Sequence, residues 1–265
     1  MEILKPYLEF DYDSCNGCGM CKKICICNRI EMKDDKPVEV EAKLCVSCGH
    51  CFAICPNNAI KMIGFDNDSV RVLDPAKDSI DADTMYNFLT ARRAIRFFKD
   101  KKISNDVFEK LMSVSFNNPS YYNTMTAEFC VIDKDIKALV DATWDIMKVD
   151  KDDDYLIGKY EEWLNKEYYQ DPFLWGGTQA ICTFANNNDD AIVAATRVEM
   201  MAYAMGLGGF YLGFSMKAAK KDPTFRNVFK NVTPGKNLYS VFVIGYPKYK
   251  FLRTVPRKQA IIHWQ

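Results

Sequence analysis

Residues 15–25, CNGCGMCKKIC, and residues 45–56, CVSCGHCFAICP, are two copies of one arrangement. Each spaces its cysteines C-x2-C-x2-C-x3-C: Cys15, Cys18, Cys21 and Cys25, then Cys45, Cys48, Cys51 and Cys55, with Pro56 directly behind the second run. This spacing holds 4Fe–4S clusters, and the fourth cysteine of each run ligates the cluster of the other run. The expected ligand sets are therefore Cys15, Cys18, Cys21 and Cys55 for one cluster, and Cys45, Cys48, Cys51 and Cys25 for the other. Paired C-x-x-C elements can also bind zinc, but a tetrahedral ion has no use for this asymmetric run, twice over. Disulfides would require export, and MEILKPYLEF shows no apolar signal core behind a basic end.

The repeat runs past the ligands at an offset of about 30 residues. Asn28, Ile30 and Met32 match Asn58, Ile60 and Met62; Gly19 matches Gly49 and Glu9 matches Glu39. On these residues the segment resembles a bacterial-type two-cluster ferredoxin over residues 1–66. It departs from that family at Ile26, where a proline usually stands, with Cys27 beside it. The remaining cysteines, Cys130 and Cys182, lie in apolar runs (FCVI and AICTF) and read as buried small hydrophobes.

Composition narrows the classes. With 48% hydrophobic residues, 265 residues can fill a small domain and one of ordinary size. No apolar stretch is long enough for a membrane span. The formal net charge is zero, which argues against nucleic acid as a partner. Residues 1–66 carry 8 basic and 10 acidic side chains, so charge does not mark a docking face. Eleven cysteines without an export signal point to a reducing cytoplasm. Residues 67–84, NDSVRVLDPAKDSIDADT, are poor in apolar residues and read as a linker, with Asp81 or Asp83 placed to cap a following helix.

Residues 85–265 form the second expected domain. YNFLTARRAIRFFKDKKIS reads as a helix ending in a cationic and aromatic cluster, and Ser104 as the cap of another helix burying Val107, Phe108, Leu111 and Met112. AEFCVID, AICTFAN and YSVFVIGY read as strands. Ala194, Val198, Met201 and Met205 share a face of a long helix between the last two. The fold class is α+β, a layered domain behind the small duplicated one. The glycines of GLGG do not follow a strand and open a helix, so a dinucleotide-binding loop is not expected there.

RRAIRFF at 92–98, NNPSYYN at 117–123, GLGGFYLG at 206–213 and the tail PRKQAIIHW resemble, in order, the signature segments of the nitroreductase family. The resemblance implies a mixed sheet flanked by helices, FMN as cofactor, and a homodimer with the flavin at the subunit interface. It also implies flavin contacts from Arg92, Arg93, Ala94 and Arg96, from Pro119, Ser120 and Asn123, from Gly208 and Gly209, and from Arg257 and Lys258. Guanidinium groups suit a phosphate dianion because they donate two hydrogen bonds in one plane. Ala94 stands where the family carries a serine, so only its backbone is available. Gly208 and Gly209 would let backbone N–H groups approach the ring. In this reading Tyr168, Phe173 and Trp175 are candidates for the substrate face, with ordinary packing as the alternative.

The whole chain is similar to ferredoxin–nitroreductase fusions. That similarity implies clusters relaying electrons to FMN, an external donor (reduced ferredoxin or NAD(P)H), and a small organic acceptor such as a nitroaromatic, quinone or activated alkene. No protein nucleophile or general acid is expected. Two alternatives stand beside it: an electron-transfer module docking on a larger complex, and a redox sensor.

Overall fold

The computed structural model describes residues 8–40, 42–149, 154–167 and 171–265. The chain divides into two compact units. One runs to Ser79 and includes Tyr121–Thr124; the other comprises Ile80–Ser120 and Met125–Gln265.

The first unit carries the sequence repeat into its architecture. Strand β1 (Leu8–Phe10) pairs antiparallel with β4 (Ile60–Met62), and β2 (Ile30–Lys33) with β3 (Lys36–Glu39). Short helices α1 (Met20–Ile24) and α2 (His50–Ile54) each start from a glycine in the left-handed region, Gly19 at φ 67° and Gly49 at φ 72°. Leu8, Ile30, Ile60 and Met62 form the core with Cys21 and Cys51. Gly17 has no room for a side chain, since a Cβ would stand 2.6 Å from the Asp35 carbonyl oxygen. Residues 67–84 hold α3 (Pro75–Asp78) and the start of α4 (Ala82–Ala91), whose cap is Asp81, accepting from Thr84 N at 2.9 Å.

The second unit is built on a four-stranded sheet in the order β5–β6–β8–β7, with β5 Glu128–Ile132, β6 Gln179–Ala185, β7 Gly208–Tyr211 and β8 Asn237–Gly245. All its described pairings are antiparallel, so the expected mixed sheet is corrected; apolar alternation along a strand does not encode its direction. Period-two alternation sends Ala180, Cys182, Phe184, Val241 and Val243 to one face. There they meet α6 (Ile136–Met147) through Leu139, Val140 and Met147, and α9 (Gly213–Lys221) through Ala218. Ile181, Phe242 and Ile244 face the other way, onto Phe108 and Leu111 of α5 (Asn105–Met112) and Val198 and Ala202 of α8 (Asn188–Ala204). Every β6 residue is buried because both faces are covered.

Several local expectations change. Helix α4 stops at Ala91, and Arg92 is already extended at φ −61°, ψ 133°. Ser104 occupies the cap position of α5, but its hydroxyl accepts no backbone N–H there. Cys182 is fully buried, whereas Cys130 is only half-buried. α7 (Asp154–Leu164) and the following loop put Tyr160 and Phe173 into the core, buried with ring centroids 4.5 Å apart, and Trp144 and Trp163 pack tilted against Tyr160. Phe173 is thus a core residue and not a pocket wall. Trp175 packs edge-on against Phe97, and Tyr168 lies outside the described residues.

Candidate iron–sulfur and flavin sites

In the first unit the thiols gather in the crossed order. Cys15, Cys18, Cys21 and Cys55 line one hollow, with Gly19, Met32, Pro37 and Ala59. Cys25, Cys45, Cys48 and Cys51 line a second, with Cys27, Arg29 and Met62. Among the described residues no three Cys, His, Asp or Glu side chains converge for a single metal ion. Four thiols spread around a hollow suit instead a multinuclear cluster, in which each thiolate binds its own iron. Backbone N–H groups already point at sulfur: Arg29 N donates to Cys25 Sγ at 3.2 Å, Ala59 N to Cys55 Sγ at 3.3 Å and Gly17 N to Cys15 Sγ at 3.5 Å. Burial pushes the Cys51 thiol up to about 11 and raises Cys21 and Cys45, so iron must displace protons to bind.

In the second unit two groups of candidate flavin residues form in different places. The first joins the arginine segment to β7. Ile95 N donates to the Gly209 carbonyl at 2.9 Å, and Phe98 bridges to Pro247. Gly208 and Gly209 therefore lie on a buried strand and do not close a helix; Gly206, at φ 75°, takes that role behind α8. Their smallness is used by the chain itself: a Cβ on Gly208 would lie 2.4 Å from Ile95 Cγ1, and one on Gly209 2.0 Å from the Val243 carbonyl oxygen.

Arg92 donates to Glu199 Oε1 at 2.8 Å, and Glu199 Oε2 accepts from the Tyr211 hydroxyl at 3.1 Å. Burial, with the Glu199 charge behind it, holds the Tyr211 hydroxyl well above the usual phenol range. Ala94 packs on the core and Arg96 sits over the Phe210 ring at 5.5 Å. Arg93 Nε is buried without a partner.

The second group lines a cavity of about 500 Å³ that holds Pro119 and Ser120 with Phe116, Asn118, Glu128 and Asp190. Both amide atoms of Asn118 are buried there without partners. Asp190 and Glu199 sit nine residues apart on α8, so the two groups are separated by about 13 Å of helix. The other candidates lie elsewhere. Asn123 falls in the first unit, where its Nδ2 donates to the Ser47 carbonyl at 2.8 Å. Arg257 and Lys258 are exposed in a tail without regular structure and have no hydrogen-bond or ion-pair partner among the described residues.

The sequence reading missed Glu199, Asn118 and Arg29. Glu199 carries no local signal, because its partner is 107 residues away. Arg29 was discoverable, because the repeat sets it against Ala59.

The profile of the nitroreductase family matches residues 89–246, more than half of the sequence. The chain belongs to the nitroreductase family. A 4Fe–4S dicluster domain profile matches residues 7–69, ahead of the nitroreductase domain. Among solved structures, a nitroreductase with bound FMN from Desulfitobacterium hafniense aligns at 13% identity and TM-score 0.57, covering 70% of this chain and 100% of that one. A nitroreductase with bound FMN from Bacteroides fragilis aligns at 15% identity and TM-score 0.55, covering 68% and 98%. An FMN-dependent nitroreductase from Clostridium difficile gives 15% and 0.52, covering 69% and 100%. These likenesses concern the fold. No curated protein matches the chain.

The residues present fit the implied groups. Nine thiols line two hollows, the eight of the repeated runs and Cys27, and the nitroreductase domain offers an orphaned buried guanidinium nitrogen and an orphaned amide beside a cavity of ligand size.

Proposed function

We propose that this chain is an FMN-dependent oxidoreductase of the cytoplasm, in which two 4Fe–4S clusters relay single electrons to the flavin. When bound, FMN would supply a hydride, or two electrons with protons, to a small organic acceptor: a nitroaromatic, a quinone or an activated alkene. The observation that carries the reading is the crossed grouping of eight thiols in the same chain as a nitroreductase domain. A one-electron source feeding a carrier that also works in electron pairs gives the fusion a chemical reason.

The protein's part is to bind and orient. Cys15, Cys18, Cys21 and Cys55 would hold one cluster, and Cys25, Cys45, Cys48 and Cys51 the other. Arg93, Arg96, Arg257 and Lys258 have charge to offer the flavin phosphate, whereas Arg92 is already neutralised by Glu199. The Ala94 N–H, Pro119, Ser120, Gly208 and Gly209 complete the flavin contacts in this reading, and Asn123 would have to release Ser47 to join them. We assign no side chain as acid, base or nucleophile.

A second copy of the chain supports the site. Helix α4 buries none of its residues and exposes Tyr86 and Leu89, while Leu252 is 89% and Trp264 91% exposed. Apolar surface of this extent fits a homodimer interface, and light scattering on the purified protein should give twice 30.4 kDa. The cavity of about 500 Å³ favours an enzyme over a docked relay without a substrate of its own.

The test is composition and turnover. Anaerobically purified protein should contain iron, sulfide and FMN. It should reduce a nitroaromatic or quinone when supplied with reduced ferredoxin or NAD(P)H as external donor. Protein that holds neither iron with sulfide nor flavin would refute the reading.

A further inference from the structure

We infer that Arg29 separates the two iron–sulfur sites in reduction potential, so that the site of Cys25, Cys45, Cys48 and Cys51 takes an electron before the other. The inference rests on the proposal that both hollows carry a 4Fe–4S cluster.

The repeat supplies an internal comparison. Each hollow has the four thiols of its crossed set and a methionine wall, Met32 in one and Met62 in the other; the second adds Cys27 and His50 where the first has Asn57 and Met20. Each has a backbone N–H donated to the sulfur of its crossed cysteine, from Arg29 at 3.2 Å and from Ala59 at 3.3 Å. The side chains on those two equivalent residues differ completely. Ala59 lines its hollow without charge, whereas Arg29, a cation whose side chain is only 7% exposed, lines the other. Nη1 of Arg29 donates to the Lys43 carbonyl, and Nη2 contacts Glu39 Oε2 at 3.3 Å. The cation is therefore fixed in place.

A cluster bound by four thiolates is an anion, and one-electron reduction makes it more anionic without breaking a bond or requiring a proton. A fixed positive charge beside it favours the reduced form and raises its potential. Among the described residues, two neighbouring charges weigh against the effect. Glu39 opposes Arg29, but it does not line the hollow, and its Oε1 is held by Leu8 N at 3.0 Å. Lys36 approaches the other hollow, donating to the Tyr12 and Cys15 carbonyls at 2.6 and 2.8 Å. Its ammonium is partly in water and does not line that hollow, so screening weakens it more than a buried guanidinium.

The test is a potential-controlled titration of the full chain, anaerobically loaded and followed by absorbance and electron paramagnetic resonance. Wild type should hold about eight iron atoms per chain and show two one-electron midpoints. Arg29→Gln should lower the upper midpoint and leave the lower one in place. The expected change is about tenfold in the ratio of reduced to oxidised cluster, roughly 59 mV for a one-electron couple. Glu39→Gln, which can keep the bond from Leu8 N, should raise the upper midpoint, and Arg29→Lys should hold it near wild type.

Equal midpoints in eight-iron protein, or an Arg29→Gln variant that moves the lower midpoint or neither, would overturn the role of Arg29. If Arg29→Gln fails to load iron, Glu39→Gln decides, and an upper midpoint that stays or falls overturns the inference. Wild type holding only half the expected iron would instead remove the two-cluster reading on which the inference stands.

Discussion

Glu128 opens β5 and ties down the segment before β8. Its carboxylate meets Lys236 Nζ at 2.7 Å and accepts from Thr233 N and Oγ1 at 3.1 and 2.6 Å. Burial alone would raise its pKa, but these partners overcome it and hold the group near 2 against an ordinary 4.5. A depressed folded-state value stabilises the protein above the unfolded pKa, and the gain is lost as pH falls from 4.5 toward 2. Glu128→Gln should therefore lower stability at pH 7 by about 1–2 kcal/mol after discounting for solvent, and the deficit should shrink below pH 4. Urea unfolding followed by tryptophan fluorescence reads this unit alone, since Trp144, Trp163, Trp175 and Trp264 all lie in it.

Arg92 makes a second case. Arg92→Gln would leave Glu199 buried with only Tyr211 as donor, a cost of about 2 kcal/mol between the exposed and buried limits. Adding Glu199→Gln should return most of it in the same unfolding assay. The arginine segment was legible because its residues are adjacent. The carboxylate that neutralises one of them was not, because pairing across 107 residues leaves no local mark.

At the scale of elements, alternation wrote three strands plainly. β5, β6 and β8 hold runs whose odd and even residues go to opposite faces, and the structure builds all three. β7 was hidden because it spans Gly208–Tyr211 and opens with two glycines, which carry no side-chain pattern. The end of α4 was hidden because Arg92–Arg96 would suit a helix by propensity, but Ile95 instead bonds to β7. The two glycines should respond differently to substitution. Gly209→Ala sets a methyl against the Val243 carbonyl of the neighbouring strand, which cannot move alone. It should cost about 1–3 kcal/mol and weaken flavin retention. Gly208→Ala meets chiefly Cγ1 of Ile95, a side-chain branch that a change of χ1 can move, and should cost less. Thermal unfolding of the two variants side by side checks the order.

For the whole molecule, the repeat was legible down to the crossed grouping of its thiols, because the cysteine spacing carries that pattern. The candidate flavin residues were less so: the tail carries Arg257 and Lys258 with no partner among the described residues, and Asn123 belongs to the other unit. Among the described residues no helix is long and apolar enough to cross a membrane. The central claim is that electrons entering at the thiol-bound clusters reach the flavin. It is tested most directly by anaerobic rapid mixing of the purified protein with reduced ferredoxin, following iron–sulfur and flavin absorbance separately. Iron–sulfur bleaching should precede flavin bleaching, and replacing all eight ligand cysteines by serine should abolish the flavin phase while FMN stays bound. Flavin bleaching at the wild-type rate in that variant would contradict the account.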